Sequence, residues 1–265
     1  MDSVNKTLYI PLYGKALVSK RGILLRDPRA EEVWEQEGFP LKGKSASKWL
    51  AFYMAMRAAV MDRWTGETLK QMPGAAVLHL GCGLDSRCLR VEAGESRWYD
   101  LDFPEVIRER EKYFRETDTY RMVPGDLRQG TWKDQIPGGG DAVIVMEGIS
   151  MYLRPEELAA LLRTLAEHFD RVRILMDCYS SFAAKMSRYK NPINDVGVTE
   201  VYGLDSAADL AAESGIAFRK EHDMTPTTLI RELDAMERIV FSNLYGGKMS
   251  RSLYRMYEFE SEKGA

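Results

Sequence analysis

The sequence predicts an α/β fold: a Rossmann-like, seven-stranded, mostly parallel sheet with an antiparallel edge strand, preceded by a helical layer and interrupted by a lid insertion. Three observations predict it. From Pro73 onward, short apolar runs alternate with helix-length segments, as a doubly wound sheet requires. The first of these runs, "AAVLHLG", breaks into Gly-x-Gly before a helical pattern resumes. The last run has no helix after it, which suits a final strand turning back antiparallel beside its neighbour.

Composition narrows the function classes. A length of 265 residues suits one large domain. Apolar residues at 45% and charged residues at 29% are ordinary, and a net charge of -3 gives no basic footprint for nucleic acid. Cys82, Cys88 and Cys178 are too few and too scattered for a disulfide framework or a four-ligand zinc site, so a reducing, cytoplasmic setting is expected. The start lacks a long apolar core behind basic residues, and no run of about 18 apolar residues occurs, so neither export nor a membrane span is expected. Oligomeric state is open.

Taken in order, residues 1–72 form a helical cap. "DPRAEEVWEQEG" opens on the Asp27-Pro28 start signal, and "SASKWLAFYMAMRAAVMDRWTGETLKQ" carries helical spacing behind a serine cap. Trp34, Trp49, Phe52 and Tyr53 there read as core packing, with a partner surface as the alternative. Residues 73–177 carry strands at "AAVLHLG", "SRWYDLD", "RMVPGDL", "DAVIVME" and "RVRILMD", with helices such as "PEVIREREKYF" and "RPEELAALLRTLAEHF" between them. Residues 178–204 break this rhythm and read as a lid or a long surface loop. Residues 205–265 complete the sheet with "GIAFRKEH" and "SLYRMYEFE". No internal repeat divides this single domain.

In an open parallel sheet, ligands lie beyond the carboxyl ends of the strands, where strand order reverses. Gly81 and Gly83 fall in the first strand-to-helix turn, where missing side chains let a ligand approach the backbone. A dinucleotide, a phosphate and S-adenosylmethionine are the candidate occupants. Position 86 is serine, which leaves the dinucleotide fingerprint incomplete, and there is no Gly-Lys-Ser/Thr phosphate loop. Asp102, with Asp100 as its rival, ends the second strand, where a carboxylate accepts ribose hydroxyls through bonds worth roughly 1.5–3 kcal/mol each. A helix cap before Pro104 is the other reading of Asp102. Asp126, after the third strand, can accept the adenine amine, and Glu147 ends the fourth strand facing the same cleft. Three carboxylates round one cleft repel a pyrophosphate and suit a sulfonium with an ammonium group. This selects S-adenosylmethionine, leaving S-adenosylhomocysteine as product, and makes 73–177 the cofactor-binding half. His79, His168 and His222 share no metal-ligand spacing, so no metal is expected, and His79 reads as a satisfied buried histidine.

At these residues the sequence resembles the leucine carboxyl methyltransferase and tetracenomycin-type polyketide O-methyltransferase family of class I methyltransferases. The matching segments are "IPLYGKA", "SKRGILLRDPRAEEV", "HLGCGLDSRCLRV", "WYDLDFPEVIRERE", "GDLRQGTW" and "MEGISMYLRPEELAALL", in order from Ile10 to Leu162, with "YGLDSAADLAAESG" beyond. The resemblance implies that Gly81 and Gly83 pass the methionine part of the cofactor, Asp102 holds its ribose, Asp126 and Leu127 flank the adenine, and Glu147 lies near the methionine end. It further implies that Lys20 and Arg57 reach over the cofactor to its carboxylate; alone, both would read as surface charges. Cys82 stands where the family often has alanine, and His79 where it has asparagine, aspartate or valine.

Methyl transfer from a sulfonium rests chiefly on alignment, which can supply about 7–11 kcal/mol, so no fixed triad is required. For a carboxylate acceptor, Arg128 matches the residue type carboxyl methyltransferases place near it, and Tyr152 could donate a hydrogen bond. For a hydroxyl acceptor, Tyr179, Tyr189 or His222 could assist, and Tyr202 could line the substrate side of the lid. The expected activity is therefore S-adenosylmethionine-dependent O-methylation of a small-molecule, polyketide-like hydroxyl or of a carboxyl group, including one on a peptide-like product. A nicotinamide-dependent oxidoreductase and a non-catalytic cofactor-binding scaffold are the alternatives.

Overall fold

The computed structural model describes residues 7–190 and 200–263, with the side chains of 188–190 excepted. Of the predicted lid, residues 191–199 and the Tyr189 side chain therefore lie outside the described residues. Three helices come first: α1 (Tyr9–Arg21), α2 (Pro28–Glu37) and α3 (Lys48–Gln71). Asp27 starts α2 as its side chain accepts from the Ala30 amide at 2.9 Å, with Pro28 in the first turn. Ser47 begins α3 through its extended backbone, and its hydroxyl makes no cap bond.

The sheet elements follow in order as β1 (Ala76–Leu80), α4 (Arg87–Arg90), β2 (Trp98–Asp102), α5 (Pro104–Arg110), β3 (Tyr120–Pro124), β4 (Asp141–Met146), α6 (Pro155–His168) and β5 (Arg171–Tyr179). The chain continues through α7 (Ser181–Lys190), α8 (Ala207–Ser214), β6 (Ala217–His222), α9 (Thr227–Ile230), α10 (Ala235–Tyr245), α11 (Lys248–Leu253) and β7 (Tyr254–Glu262). All seven expected strands are present. They pair in the order β3-β2-β1-β4-β5-β7-β6, so the strand order reverses between β1 and β4. β1 to β5 are parallel, while β7 runs antiparallel to both β5 and β6, which leaves β6 at the outer edge.

Strand alternation divides the core. Val77, Val143, Val145 and Leu175 face one side, with Phe52, Met61 and Trp64 of α3. Leu78, Leu80, Ile144 and Ile174 face the other, with Leu158, Leu162 and Leu165 of α6 and Leu210 of α8. Phe52 and Tyr53 are core, and Trp34 and Trp49 pack half-buried against it. A third cluster joins Leu12 of α1 and Val33 of α2 to Leu84, which pins the N-terminal helices over the glycine turn.

The helix expected after that turn is the single turn α4. Arg87 and Arg90 both point inward to Asp62 of α3, at 2.6 and 2.7 Å, and Gly94 with φ +58° redirects the chain toward β2. Segment 178–190 is also partly regular, because α7 starts directly after β5.

Candidate functional site

The turn after β1 requires its two glycines for different reasons. Gly81 and Gly83 have φ of +69° and +51°, a region that side chains disfavour. A Cβ on Gly81 would also lie 2.0 Å from Cγ2 of Ile149, and one on Gly83 would lie 3.3 Å from Cβ of Leu8. The turn is tied to β2: the Gly81 amide donates to the Leu101 carbonyl at 2.8 Å, and the Gly83 amide to the Asp102 carboxylate at 2.7 Å.

Asp100 and Asp102 share a strand face but have different surroundings. Asp100 is fully buried, accepting from Arg110, from the Tyr120 hydroxyl at 2.7 Å and from the Trp98 indole at 2.8 Å. Burial pushes its carboxyl up, but Arg110 and His79 outweigh burial and hold it down at about 2. Asp102 is half-buried at the strand end and lines the main cavity, accepting also from the Phe103 amide at 2.8 Å. Burial pushes its carboxyl up to about 6, against the pull of the two amides. Position along the strand therefore separates a structural aspartate from a cavity aspartate.

The cavity measures about 960 Å³, at the upper end of the range for small-molecule sites, and has room for two moderate ligands. Its floor is the glycine turn and the ends of β2 and β4, and α1 and α3 cover it. Deep within it, Arg57 donates from Nη2 to Glu147 at 2.8 Å and from Nη1 to Asp177 at 2.8 Å and Tyr254 at 2.6 Å. Its Nε is buried and has no partner among the described residues. Burial raises the Glu147 carboxyl, but Arg57 and Arg87 overcome this and keep it ionised, well below the usual carboxylate range. A buried cation with one unused donor at one end, and a carboxylate beside a bare turn at the other, fits an amino acid joined to a nucleoside.

The remaining expected residues separate clearly. Asp126 and Leu127 line the cavity, and the Gly125 amide donates to the Asp102 carbonyl at 2.9 Å, which sets that loop beside Asp102. Arg128 lines the cavity too, but its guanidinium spans both Asp126 oxygens, at 2.9 Å from Nε to Oδ1 and 2.6 Å from Nη2 to Oδ2. Tyr152 and Tyr179 line the cavity, and Tyr202 does not. His79 is buried with both ring nitrogens engaged, Nδ1 by Asp100 at 3.2 Å and Nε2 by Arg87 at 2.9 Å, and burial depresses its pKa. His222 pairs with Glu258 at 2.6 Å outside the main cavity.

Lys20 is the correction. It is exposed, pairs with Glu35 at 2.5 Å, and does not line the cavity; the cavity lysine is Lys15, buried and 2.7 Å from Asp85. Five residues turn a helix by about 140° beyond one revolution, so Lys15 and Lys20 cannot share a face. The missed signal lay at the start of α1, where its N-cap Leu8, Leu12 and Lys15 follow helical spacing and all line the cavity. Asp177 and Tyr254 were also missed, since only the β5–β7 pairing brings them to Arg57. Lys15→Met is expected to weaken S-adenosylhomocysteine binding by about fivefold or more, and Lys20→Met to leave it within about twofold, by calorimetry.

Among the described residues, no group of three or more His, Cys, Asp or Glu is arranged to hold a metal. Nor is any helix among them long and apolar enough to cross a membrane.

Known proteins place this architecture. A family model described as leucine carboxyl methyltransferase matches residues 3–166. The chain is 27% identical over 263 residues to the tetracenomycin polyketide synthesis O-methyltransferase TcmP of Streptomyces glaucescens, covering 98% of this chain and 97% of that protein. It is 29% identical over 193 residues to the S-adenosyl-L-methionine-dependent methyltransferase dpfgK of Gibberella zeae, covering 67% of this chain and 65% of that one. The crystal structure of magnesium protoporphyrin IX methyltransferase from Synechocystis PCC 6803 with bound SAH superposes with a TM-score of 0.51 at 13% identity, over 89% of this chain and 93% of that one, a likeness of fold.

Proposed function

This chain belongs to the leucine carboxyl methyltransferase family and is an S-adenosylmethionine-dependent O-methyltransferase, and from that premise we propose which residues carry the reaction. The observation that carries the assignment is the pairing, within one cavity, of Asp102 at the glycine turn with the unpartnered Nε of Arg57. Asp102 accepts the ribose hydroxyls. Arg57, with Lys15 in the place expected of Lys20, takes the carboxylate of the amino-acid end, and Glu147 balances the ammonium. Gly81 and Gly83 pass the chain between these ends, and Asp126 with Leu127 borders the adenine. The bound cofactor supplies a methyl group on a sulfonium, open to in-line attack.

The chain's own residues then align the acceptor and exclude water. Burial raises the Tyr152 hydroxyl well above its usual pKa, so it stays protonated and orients an acceptor oxygen by donating to it. Among the described residues, His79 is the histidine that lines the cavity, and both its nitrogens are committed. The acceptor is accordingly a small molecule whose oxygen ionises by itself, a carboxyl group or an acidic phenol or enol of polyketide type. Arg128, expected to position such an anion, does so only if it leaves Asp126; held there, it fixes Asp126 at the adenine end. The described parts act as a single domain, with the helical cap closing the cofactor end and α7, within the predicted lid, bordering the acceptor end. We place the protein in a reducing, cytoplasmic setting, on its three free thiols, and acting on small molecules rather than nucleic acid.

Incubation with methyl-labelled cofactor and extract of the source cells, followed by mass spectrometry, tests the assignment. Label recovered on oxygen is expected, as a methyl ester released by mild alkali or as an alkali-stable ether. Label only on nitrogen or carbon, or retained wholly on the cofactor, would contradict it.

The Asp102 shift gives a pH dependence. Ribose hydroxyls donate to the ionised carboxylate, so binding favours the deprotonated form. Affinity for S-adenosylhomocysteine is expected to be level above about pH 7 and to weaken by up to about tenfold per unit as pH falls through 6. Asp102→Asn should bind weakly with that slope removed, measured by titration across the range.

A further inference from the structure

Exposed apolar residues are concentrated on three helices. Among the described residues, the large apolar side chains that stand exposed are Phe182 and Met186 of α7, Met236, Ile239 and Leu244 of α10, Met249 of α11, and elsewhere only Leu89 and Phe218. Met249 is 78% exposed, Met236 70%, Phe182 64% and Ile239 61%. Single residues of this kind are ordinary, but a concentration of them marks an interaction surface. The three helices adjoin one another: Gly246 and Gly247 alone separate α10 from α11, and the Ser180 amide, preceding α7, donates to the carbonyl of Leu253 at the end of α11 at 3.0 Å. α10 buries Glu237 and Phe241, four residues apart, and leaves Met236 and Ile239 on its other side. Phe182, Met186 and Met249 also line the cavity, so its mouth opens within this surface.

Charge decides what such a surface meets. Among the described residues of these helices, the exposed charges are Lys185, Arg238, Lys248 and Arg251, all cationic, in a chain whose net charge is -3. Their acid, Glu237, is buried and neutralised by Arg21 at 2.9 Å and Lys48 at 3.3 Å. At the margins, Asp234 caps α10, Asp205 accepts from the Ser181 amide at 2.7 Å, and Asp223 pairs with Arg251 at 3.1 Å, which leaves Lys185, Arg238 and Lys248 as the outward cations. A second copy docked by two-fold symmetry would set this cationic surface against itself. An anionic lipid surface attracts the cations and takes up the apolar side chains between them. A fluid apolar layer also suits unbranched methionines, which adapt to whatever they touch.

We propose that α7, α10 and α11 dock this protein on the surface of an anionic lipid bilayer, with Met236, Ile239 and Met249 entering the apolar layer and Lys185, Arg238 and Lys248 meeting the headgroups. Such docking is peripheral and needs no spanning helix. It turns the mouth of the cavity, at Phe182, Met186 and Met249, toward the lipid. The docking rests on this surface and not on the methyltransferase assignment.

The test sediments the full chain with vesicles of phosphatidylcholine alone and with vesicles of equal parts phosphatidylcholine and phosphatidylglycerol. The anionic vesicles should bind at least about tenfold more tightly, and that binding should weaken at least about fivefold when salt rises from about 0.05 to about 0.5 M. Met236→Ser/Ile239→Ser and, separately, Arg238→Gln/Lys248→Gln should each weaken it at least about fivefold. None of these four residues lines the cavity, so S-adenosylhomocysteine affinity, which also reports that the variants fold, should stay within about twofold of wild type. No binding to the anionic vesicles, equal binding to both kinds, or full retention in either variant overturns the docking. A concentration-dependent dimer lost in Met236→Ser/Ile239→Ser would overturn it in favour of a second copy, and equally tight binding of poly-L-glutamate in favour of an acidic polypeptide. Failure of wild type to bind S-adenosylhomocysteine bears on the cofactor assignment instead, and the vesicle comparison on the unliganded chain still decides the docking.

Discussion

Arg57→Ala is expected to lower unfolding free energy by about 3–5 kcal/mol and to weaken S-adenosylhomocysteine binding at least about 100-fold. The stability loss follows from what the guanidinium neutralises. Glu147 keeps Arg87, but Asp177 is left fully buried with only the Tyr254 hydroxyl and the Gly148 amide as donors. The binding loss follows from removing the unpartnered Nε that we propose takes the cofactor's carboxylate. Arg57→Lys separates the two effects. A lysine keeps the charge but not the planar fork that reaches Glu147 and Asp177 at once, so most of the stability should return while binding stays at least about tenfold weak. Denaturant titration and calorimetry on both variants measure the two quantities.

Gly81→Ala is expected to destabilise the fold by about 2–5 kcal/mol, the sum of left-handed backbone strain of about 1–2 and overpacking of about 1–3. The overpacking arises against Ile149, whose Cγ2 lies 2.0 Å from the added methyl and whose Cβ lies 3.1 Å away. Ile149 is branched at Cβ and has few rotamers to escape into. Ile149→Ala in the same chain should therefore recover part of the loss, the steric part, and leave the φ strain. Urea unfolding of the four proteins of that cycle should show positive coupling; additive losses would mean the turn relaxes by another route.

How much of this could be read from the residues depends on the range of the interactions concerned. The seven strands were legible because burial on both faces writes a continuous apolar run, as in Val143–Met146, and the glycine turn because its backbone excludes side chains. That an aspartate at the end of β2 borders the cavity was legible, but as one of two candidates, of which Asp102 is the one that lines it. Choosing it over Asp100 needed the depth of each along β2, since Arg110, Tyr120 and Trp98 converge only on Asp100. The cavity lysine was misplaced from Lys15 to Lys20 because two lysines five residues apart look alike until the phase of α1 is known. Arg128 was expected beside the acceptor, and its closure on Asp126, two residues before it, depends on the loop's local turn. The Arg57–Asp177–Tyr254 contacts join residues 120 and 197 positions apart, and no local pattern encodes them.

The measurement that bears most directly on the central claim, that the glycine turn and Asp102 hold S-adenosylmethionine, is calorimetric titration of S-adenosylhomocysteine into wild type and Asp102→Ala. One molecule should bind per chain, and the variant, still folded, should bind at least about tenfold more weakly, a loss of about 1.4 kcal/mol. Equal affinity in the two proteins, the same loss from Asp100→Ala without unfolding, or tight binding of NAD in place of S-adenosylhomocysteine would contradict it.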